Sequence, residues 1–514
     1  MKLKKLLPLI GLGAMTAVLL SACGGDKAKN SEKSKSEATI SLMVPYIETT
    51  PPKEGNLMQQ EIEKFTGKKI NVTWVPNTSY ADKMNITLAS DDIPEVMVIQ
   101  GKDAGFIKSA QNGAFWDLTD KLKDYPNLAN ANPDVVEASS VNGTVYGIYR
   151  GRDLVRSTAI IRKDWLENLG LEVPETVEDL YNVAKAFTEQ DPDGNGQNDT
   201  FGFNMPKWPG TINTNSPYDL MACWFGAGNA WVEKDGQLVP SFQSTEYLDS
   251  MKFIKKMIDE GLVNKDYATL DAEKWNENFL NGKSGIILDT YSRAESIAKL
   301  FDQQEADSGA SKIVITGNLK NSEGKTYSLP TAGYSGFLSV PKSAVKTEKE
   351  LDEVLDFIDK LNSDDMQLLM NTGIEGVNYE FTDDTKQFTK VKESEQTSEI
   401  TNAVHSYAQM SMGVTGYKLP KAEPTSEGNK DFIELRSTLE ARDAKTAVYN
   451  PAAAYITDTY ATKGAQLDQI ISDGRIKYFA GQIDDKGWQD ALDLWSNSGG
   501  NDIIKETNEL NNKK

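Results

Sequence analysis

The run from Ala38 to Ile99 reads ATISLMVPYIETTPPKEGNLMQQEIEKFTGKKINVTWVPNTSYADKMNITLASDDIPEVMVI, and two hydrophobic periods alternate along it. Ile40, Leu42 and Val44 recur every second residue, as on one face of a strand. Leu57, Met58, Ile62 and Phe65 recur at helical spacing, and Gly67 follows as a stop signal. Ile70, Val72 and Trp74 alternate again. Ser79-x-x-Asp82 is placed to open a second helix carrying Met84, Ile86 and Leu88, and Glu95 to Ile99 reads as a short buried strand. Strand, helix, strand, helix, strand in that order predicts an α/β fold with a parallel sheet and crossover helices.

Upstream of this run the character changes. Gly24 to Glu37 is GGDKAKNSEKSKSE, small, polar and charged, and reads as a disordered tether. Before it, Lys2, Lys4 and Lys5 precede an apolar stretch from Leu6 to Leu20 that ends in Leu20-Ser21-Ala22-Cys23. Basic start, apolar run and small residues make a secretory signal; the run is shorter than the ~20 residues a spanning helix needs. The cysteine at the cut makes it resemble a bacterial lipoprotein signal, with residues 1–22 removed, Cys23 lipidated (a palmitate-type anchor) and the tether occupying 23–37. The expected location is the extracytoplasmic face of the cell membrane, with membrane contact through the lipid only.

Downstream, the two periods keep mixing. Thr176-x-x-Asp179 and Thr347-x-x-Glu350 are capping boxes, each followed by apolar residues at helical spacing. Ser244 to Glu260 is a strong helix signal, Gly285 to Leu288 and Lys312 to Thr316 look like buried strands, and the last hundred residues are mostly helical in pattern. The chain has 514 residues, 39% hydrophobic and 25% charged, ordinary for a soluble body of several domains, and its formal net charge is -21. So acidic a chain repels phosphate backbones, which argues against a nucleic-acid partner. Of two cysteines, Cys23 belongs to the anchor and Cys223 is left as a small apolar residue, so no disulfide is expected. His405 is the single histidine, which excludes a multi-histidine metal site.

Asp191-Pro-Asp193-Gly-Asn195-Gly196-Gln197-Asn-Asp199 is the strongest chemical motif. Oxygen-bearing side chains stand at positions 1, 3, 5 and 9 of a loop, position 7 is Gln197 and position 6 is glycine, the pattern of an EF-hand-type calcium loop over 191–200. The bidentate glutamate expected at position 12 is replaced by Gly202. The metal expected is therefore Ca²⁺ in a structural role, with Asp191, Asp193, Asn195, Gln197 and Asp199 as ligands and the remainder from elsewhere.

Ile161-Arg-Lys-Asp164-Trp165-Leu-Glu-Asn-Leu-Gly170-Leu, Pro174-Glu-Thr176, the DPDGNGQNDTFGF run, Gly147-Ile-Tyr149, Phe279-Leu-Asn-Gly-Lys283-Ser-Gly-Ile and Gly373-Ile-Glu375-Gly376-Val-Asn-Tyr379-Glu occur across most of the chain. Together they resemble the extracellular solute-binding proteins (family 1) of carbohydrate ABC importers, in the large calcium-loop lipoprotein group that includes alginate-oligosaccharide binders. The loop departs from the alginate-binder pattern at Thr200, where those proteins have an acidic residue. The resemblance implies a two-lobed, type II periplasmic-binding-protein-like fold with discontinuous lobes, an interlobe cleft and a helical C-terminal region. It places 38–160 plus about 286–345 in the N-terminal lobe, and about 161–285 plus 346–514 in the C-terminal lobe. It implies a monomeric binding protein that captures an oligosaccharide and delivers it to ABC permease subunits, without catalysis of its own. A peptide or other polar solute is the alternative ligand; a surface glycan-degrading enzyme is the alternative of another class, since 76 acidic residues make carboxylate pairs inevitable.

A sugar needs flat aromatic platforms and a rim of amide, carboxylate and guanidinium groups. Open α/β sheets bind ligands beyond the carboxyl ends of their strands. The candidates are therefore Tyr46, Gln100 (with Lys102), Arg150, Arg152, Asp289, Tyr291 and Arg293 after strands, Tyr334 near a hinge, Trp208, Trp224, Trp231 and Trp275 as platforms, and Glu375 in the GIEG turn. Trp74 and Trp165 fall on core-facing positions.

Overall fold

The computed structural model describes residues 39–46, 48, 50–90, 92–207, 216–270, 274–305, 308–382, 387–391, 394–413, 420–424 and 426–513. Cys23, the leader, the tether and Trp208 lie outside the described residues. In chain order the strands that position the site are β1 (Thr39–Tyr46), β2 (Lys69–Pro76), β3 (Val96–Ile99), β4 (Ile148–Gly151), β5 (Ser157–Arg162), β6 (Phe201–Phe203), β7 (Trp231–Lys234), β8 (Gln237–Pro240), β9 (Ser284–Thr290), β10 (Ile313–Ile315) and β11 (Tyr334–Ser339). They form two main sheets, β2-β1-β3-β11-β4 and β10-β5-β9-β6, and a β7–β8 hairpin.

The opening run folds as its periods predict. β1 pairs in parallel with β2 and β3, and the helix Leu57–Thr66 crosses between β1 and β2, closed by Gly67 at φ 70°. A left-handed end of this kind costs a glycine little and a side chain more. Ser79 differs from expectation: it precedes the helix Tyr80–Leu88 but makes no capping bond, and its hydroxyl donates instead to the Pro76 carbonyl. Thr176 and Thr347 do cap: the Asp179 and Glu350 amides donate to their hydroxyls at 3.0 and 3.2 Å, and the carboxylates accept the threonine amides in return.

Each sheet has its own apolar core, which makes the α/β body two-lobed. Val44, Met97, Val98 and Leu338 of the first sheet pack with Leu351, Val354 and Ile358 of the helix Glu348–Leu361 and with Ile400 and Val404 of the helix Glu395–Tyr407. One face of the second sheet packs Ile161 and Ile286 against Trp165, Phe187 and the late helices through Leu467, Trp488 and Trp495. The other face packs Ile160 and Ile287 against Phe301, Phe432 and Leu439. Fully burying each such aliphatic side chain stabilises by roughly 1.5–3 kcal/mol. The lobe division expected from the sequence is corrected here. β9 and β10 pair with β5 in the second sheet, and the chain from Glu348 to Met410 belongs to the first core. Strand pairing assigns these segments, and their local periodicity is the same whichever sheet they join.

The chain passes between the sheets from β4 to β5 and back before β11. The two crossings are bonded to one another: the Arg152 amide donates to the Gly333 carbonyl at 2.9 Å, the Thr331 amide to the Leu154 carbonyl at 2.7 Å, and the Thr331 hydroxyl to the Asp153 carbonyl at 2.9 Å. Gly333 has φ 78°, and a side chain there would run into Val135. Among the described residues no helix is long and apolar enough to cross a membrane.

Candidate functional site

Where the crossings meet, a cavity of about 690 Å³ opens between the lobes. The first lobe contributes Asn127, Asn132, Tyr149, Asn362 and Gln367; the crossing contributes Gly151 to Val155; the helix Glu427–Asp443 of the second lobe contributes Ile433, Arg436 and Glu440. A chamber of about 260 Å³ shares Gly151, Arg152, Asp153 and Arg436 with it, and adds Arg156, Tyr291 and Ser292. The main cavity thus presents mostly neutral amides, with the Asp364 carboxylate, on the first-lobe side and a cluster of charges on the other. Arg436 organises those charges. Its Nε donates to Glu440 at 2.8 Å, Nη1 donates to Glu295, and Asp153 lies 3.8 Å from Nη2. Burial opposes its charge, but Glu295 and Glu440 hold it more firmly protonated than an ordinary arginine.

Of the residues picked out by the sequence, the cavity and its chamber gather Arg152 and Tyr291. Tyr291 is buried, at the start of the helix Tyr291–Gln304. Arg150 is one residue from the lining but turned into the first core, where its guanidinium donates to the Ser335 carbonyl at 2.9 Å and to Gln409. Tyr334 is half-buried at the start of β11 against Phe337, and burial pushes its hydroxyl up to about 12. Tyr46 and Gln100 lie half-buried at the same edge of the first sheet, Gln100 bonded to Asn77 at 2.8 Å. Lys102 reaches under this edge and donates to the carbonyls of Ala138, Ser140 and Ala453.

Other candidates are placed elsewhere. Trp224 and Trp275 are wholly buried, so the expectation of stacking platforms is corrected to core residues: their indoles donate to Asn318 at 2.8 Å and to the Asn204 carbonyl at 2.6 Å. Arg293 lies over the Trp275 ring at 4.6 Å, ion-paired with Asp289 and donating to Asn276 at 2.8 Å. Burial raises the Asp289 carboxyl against the pull of Arg293. Trp231 is half-buried in a separate 290 Å³ cavity with Phe242, Tyr455, Trp495 and Arg475. Glu375 is exposed in a backbone turn closed by the Gly376 amide on the Tyr379 carbonyl. The sequence reading missed Asp153, Arg156, Glu295, Arg436 and Glu440. Arg156 follows Arg150 and Arg152 in one charged run, and Arg436 and Glu440 are four apart on one helix; both were visible signals.

The 191–199 loop closes on itself. Asp191 accepts the Asn195 and Gly196 amides at 3.1 and 2.9 Å, Asn195 donates to Asp193 at 2.8 Å and to Asp199 at 3.3 Å, and Lys283 is ion-paired with Asp199. These are hard oxygens of the kind calcium takes, bonded in this structure to the loop's own amides and to Lys283; among the described residues no three acidic groups stand together as a metal site. Gly202 explains the missing twelfth ligand: a Cβ there would stand 2.6 Å from the Ala184 Cβ and 2.8 Å from its backbone, so no glutamate fits. Cys223 is buried, and burial pushes its thiol up to about 12, consistent with a packing role.

Comparison with known proteins follows the same lines. The sequence profile of the bacterial extracellular solute-binding proteins matches residues 49–368. Lipoprotein LipO of Bacillus subtilis is 45% identical over 498 residues, 96% of each chain. The chain belongs to the bacterial extracellular solute-binding protein family. The polygalacturonan/rhamnogalacturonan-binding protein YtcQ of B. subtilis is 33% identical over 505 residues, again 96% of each chain. An extracellular solute-binding protein from Bifidobacterium longum subsp. infantis superposes with a TM-score of 0.71 at 22% identity, covering 92% of this chain and 98% of the other. The substrate-binding protein FusA of Streptococcus pneumoniae, as an EF-hand mutant in complex with fructo-nystose, superposes with a TM-score of 0.67 at 19% identity, covering 92% and 99%. These likenesses agree with the two-lobed fold.

Proposed function

We propose that this solute-binding protein is the lipid-anchored substrate-binding component of an ABC importer, taking an oligosaccharide into the cavity between its lobes and passing it to membrane permease subunits. The observation that carries the reading is the cavity at the crossings, lined from both lobes by amides and fixed charges. Hydroxyl rims need such groups, and a ligand touching both lobes favours their closure by bending at the bonded crossings. Relatives that bind pectic and fructan glycans support the ligand class. No step of this function requires catalysis; His405, the one histidine, lies exposed against Glu48, and the protein acts as a binder rather than an enzyme. It acts as a monomer, held by lipid on Cys23 at the extracytoplasmic face of the membrane. Asp191, Asp193, Asn195, Gln197 and Asp199 hold a structural Ca²⁺, whose part is to tie the end of the helix Val177–Glu189 to β6.

Thermal-shift screening against pectic, fructan and other glycan fragments, with peptides alongside, tests this. A rise of several degrees with one glycan class is expected, because a ligand that binds only the folded state stabilises it. A rise with peptides alone, or new reducing ends appearing from any glycan, overturns the reading.

A further inference from the structure

We infer that the chamber beside the main cavity selects a sugar carrying a carboxylate, with Arg152 and Arg156 as the selecting groups; this rests on the reading that the cleft takes an oligosaccharide. The arginines near the cleft fall into two sets. Arg293 and Arg436 are ion-paired, with Asp289 and with Glu295 and Glu440; Arg150 has no carboxylate partner either, but it is turned away from the chamber into the first core, where it donates to the Ser335 carbonyl and to Gln409. Arg152 and Arg156 line the 260 Å³ chamber together with Arg436 and Asp153; Asp153 lies 3.8 Å from Arg436, and among the described residues neither Arg152 nor Arg156 has a carboxylate within 4 Å. Arg156 makes one side-chain bond, to the Ser292 hydroxyl at 3.1 Å. Asp153 and Asp289 act on the two guanidiniums only at longer range.

Two like charges turned into one small chamber repel each other, and the backbone keeps them there. The Arg152 amide is held by the Gly333 carbonyl, and the Arg156 carbonyl accepts the Tyr291 amide at 2.9 Å. Burial and the neighbouring Arg156 both weaken the hold of Arg152 on its proton. A neutral ring entering the chamber leaves both guanidiniums with only the longer-range pull of Asp153 and Asp289, whereas a carboxylate offers a planar acceptor that a guanidinium grips with two parallel bonds. The attraction is local, because the chain as a whole carries a net charge of -21 and its overall field opposes an anion.

Titration calorimetry on the full-length protein with tetragalacturonate, its methyl ester and a neutral fructan trisaccharide decides the matter. The acid should bind about tenfold or more tighter than the ester, since charge-assisted bonds are roughly twice as strong as neutral ones. Arg152→Gln and Arg156→Gln should each remove most of that preference, Arg152→Lys should keep part of it, and unchanged melting temperatures should show the variants folded. Equal affinity for acid and ester, or a preference that survives both glutamine variants, overturns the inference. Binding of the neutral sugar without the acid overturns it and leaves the oligosaccharide reading standing; binding of no glycan at all removes both.

Discussion

At the scale of single residues, Lys102 shows how a buried charge is handled without a counter-ion. Its ammonium donates to the Ala138, Ser140 and Ala453 carbonyls at 2.7, 3.0 and 2.6 Å, so it ties the end of the helix Pro133–Ser139 to a segment more than 300 residues further along the chain. Replacing it with methionine leaves three acceptors without a donor, and an orphaned buried polar group costs about 1–3 kcal/mol. Lys102→Met should therefore lower stability by at least about that amount, read as a shift of the urea midpoint. Burial lowers the Lys102 pKa to about 7. Between there and the ordinary lysine value near 10.4, the unfolded chain holds a proton that the folded chain has released. Stability thus rises with pH through that window and is penalised below it. The slope should be present in the wild-type protein and absent from Lys102→Met. Lys102 was visible in the sequence as a lysine following a strand. Its three partners, more than 30 residues away along the chain, were not.

At the scale of elements, the 191–199 turn was legible because its contacts are local: Asp191 accepts the Asn195 and Gly196 amides and Asn195 donates to Asp193 within the same loop. What the sequence left hidden is the cation beside it. β6 and β9 run in parallel with Phe201 opposite Ser284, and that register delivers Lys283 to Asp199. The Lys283 contact, with help from Asn195, holds the Asp199 carboxyl below the usual range. A calcium ion using Asp199 would compete with this ammonium for the carboxylate. Lys283→Met should accordingly bind calcium several-fold more tightly and lose more melting temperature in chelator than the wild-type protein does. Terbium luminescence titrations and melting curves with and without chelator measure the two effects; unchanged affinity would mean that the pair and the metal do not compete. The capping boxes at Thr176 and Thr347 were legible for the same local reason, while Ser79 was not, since its hydroxyl had a carbonyl at Pro76 to choose instead.

At the scale of the whole molecule, the cavity exists because the chain crosses between two sheets and returns beside itself. Arg152 and Tyr291 are 139 residues apart in number and share one chamber only because β5 and β9 pair antiparallel, Ser157 opposite Thr290. On the proposed reading, the tether and anchor act at this scale too. A binder held beside its permease gains effective concentration without any new contact. Cys23→Ala should release a soluble protein whose ligand affinity is unchanged in calorimetry, while uptake of that ligand by cells fails. Lost affinity in the released protein would show that the anchor shapes the site as well as the address.

The sequence by itself determined what depends on near neighbours. Alternating and helical periods declared an α/β body, capping boxes declared helix starts, and the motifs in their order declared the family. The tertiary structure alone decided which segments share a lobe, that Trp224 and Trp275 are core, and which arginines are ion-paired. The physical reason is that a side chain's role follows from what surrounds it. A tryptophan is a platform or a core residue, and an arginine is ion-paired or not, according to partners that strand register and chain crossings bring from as far as 259 residues away.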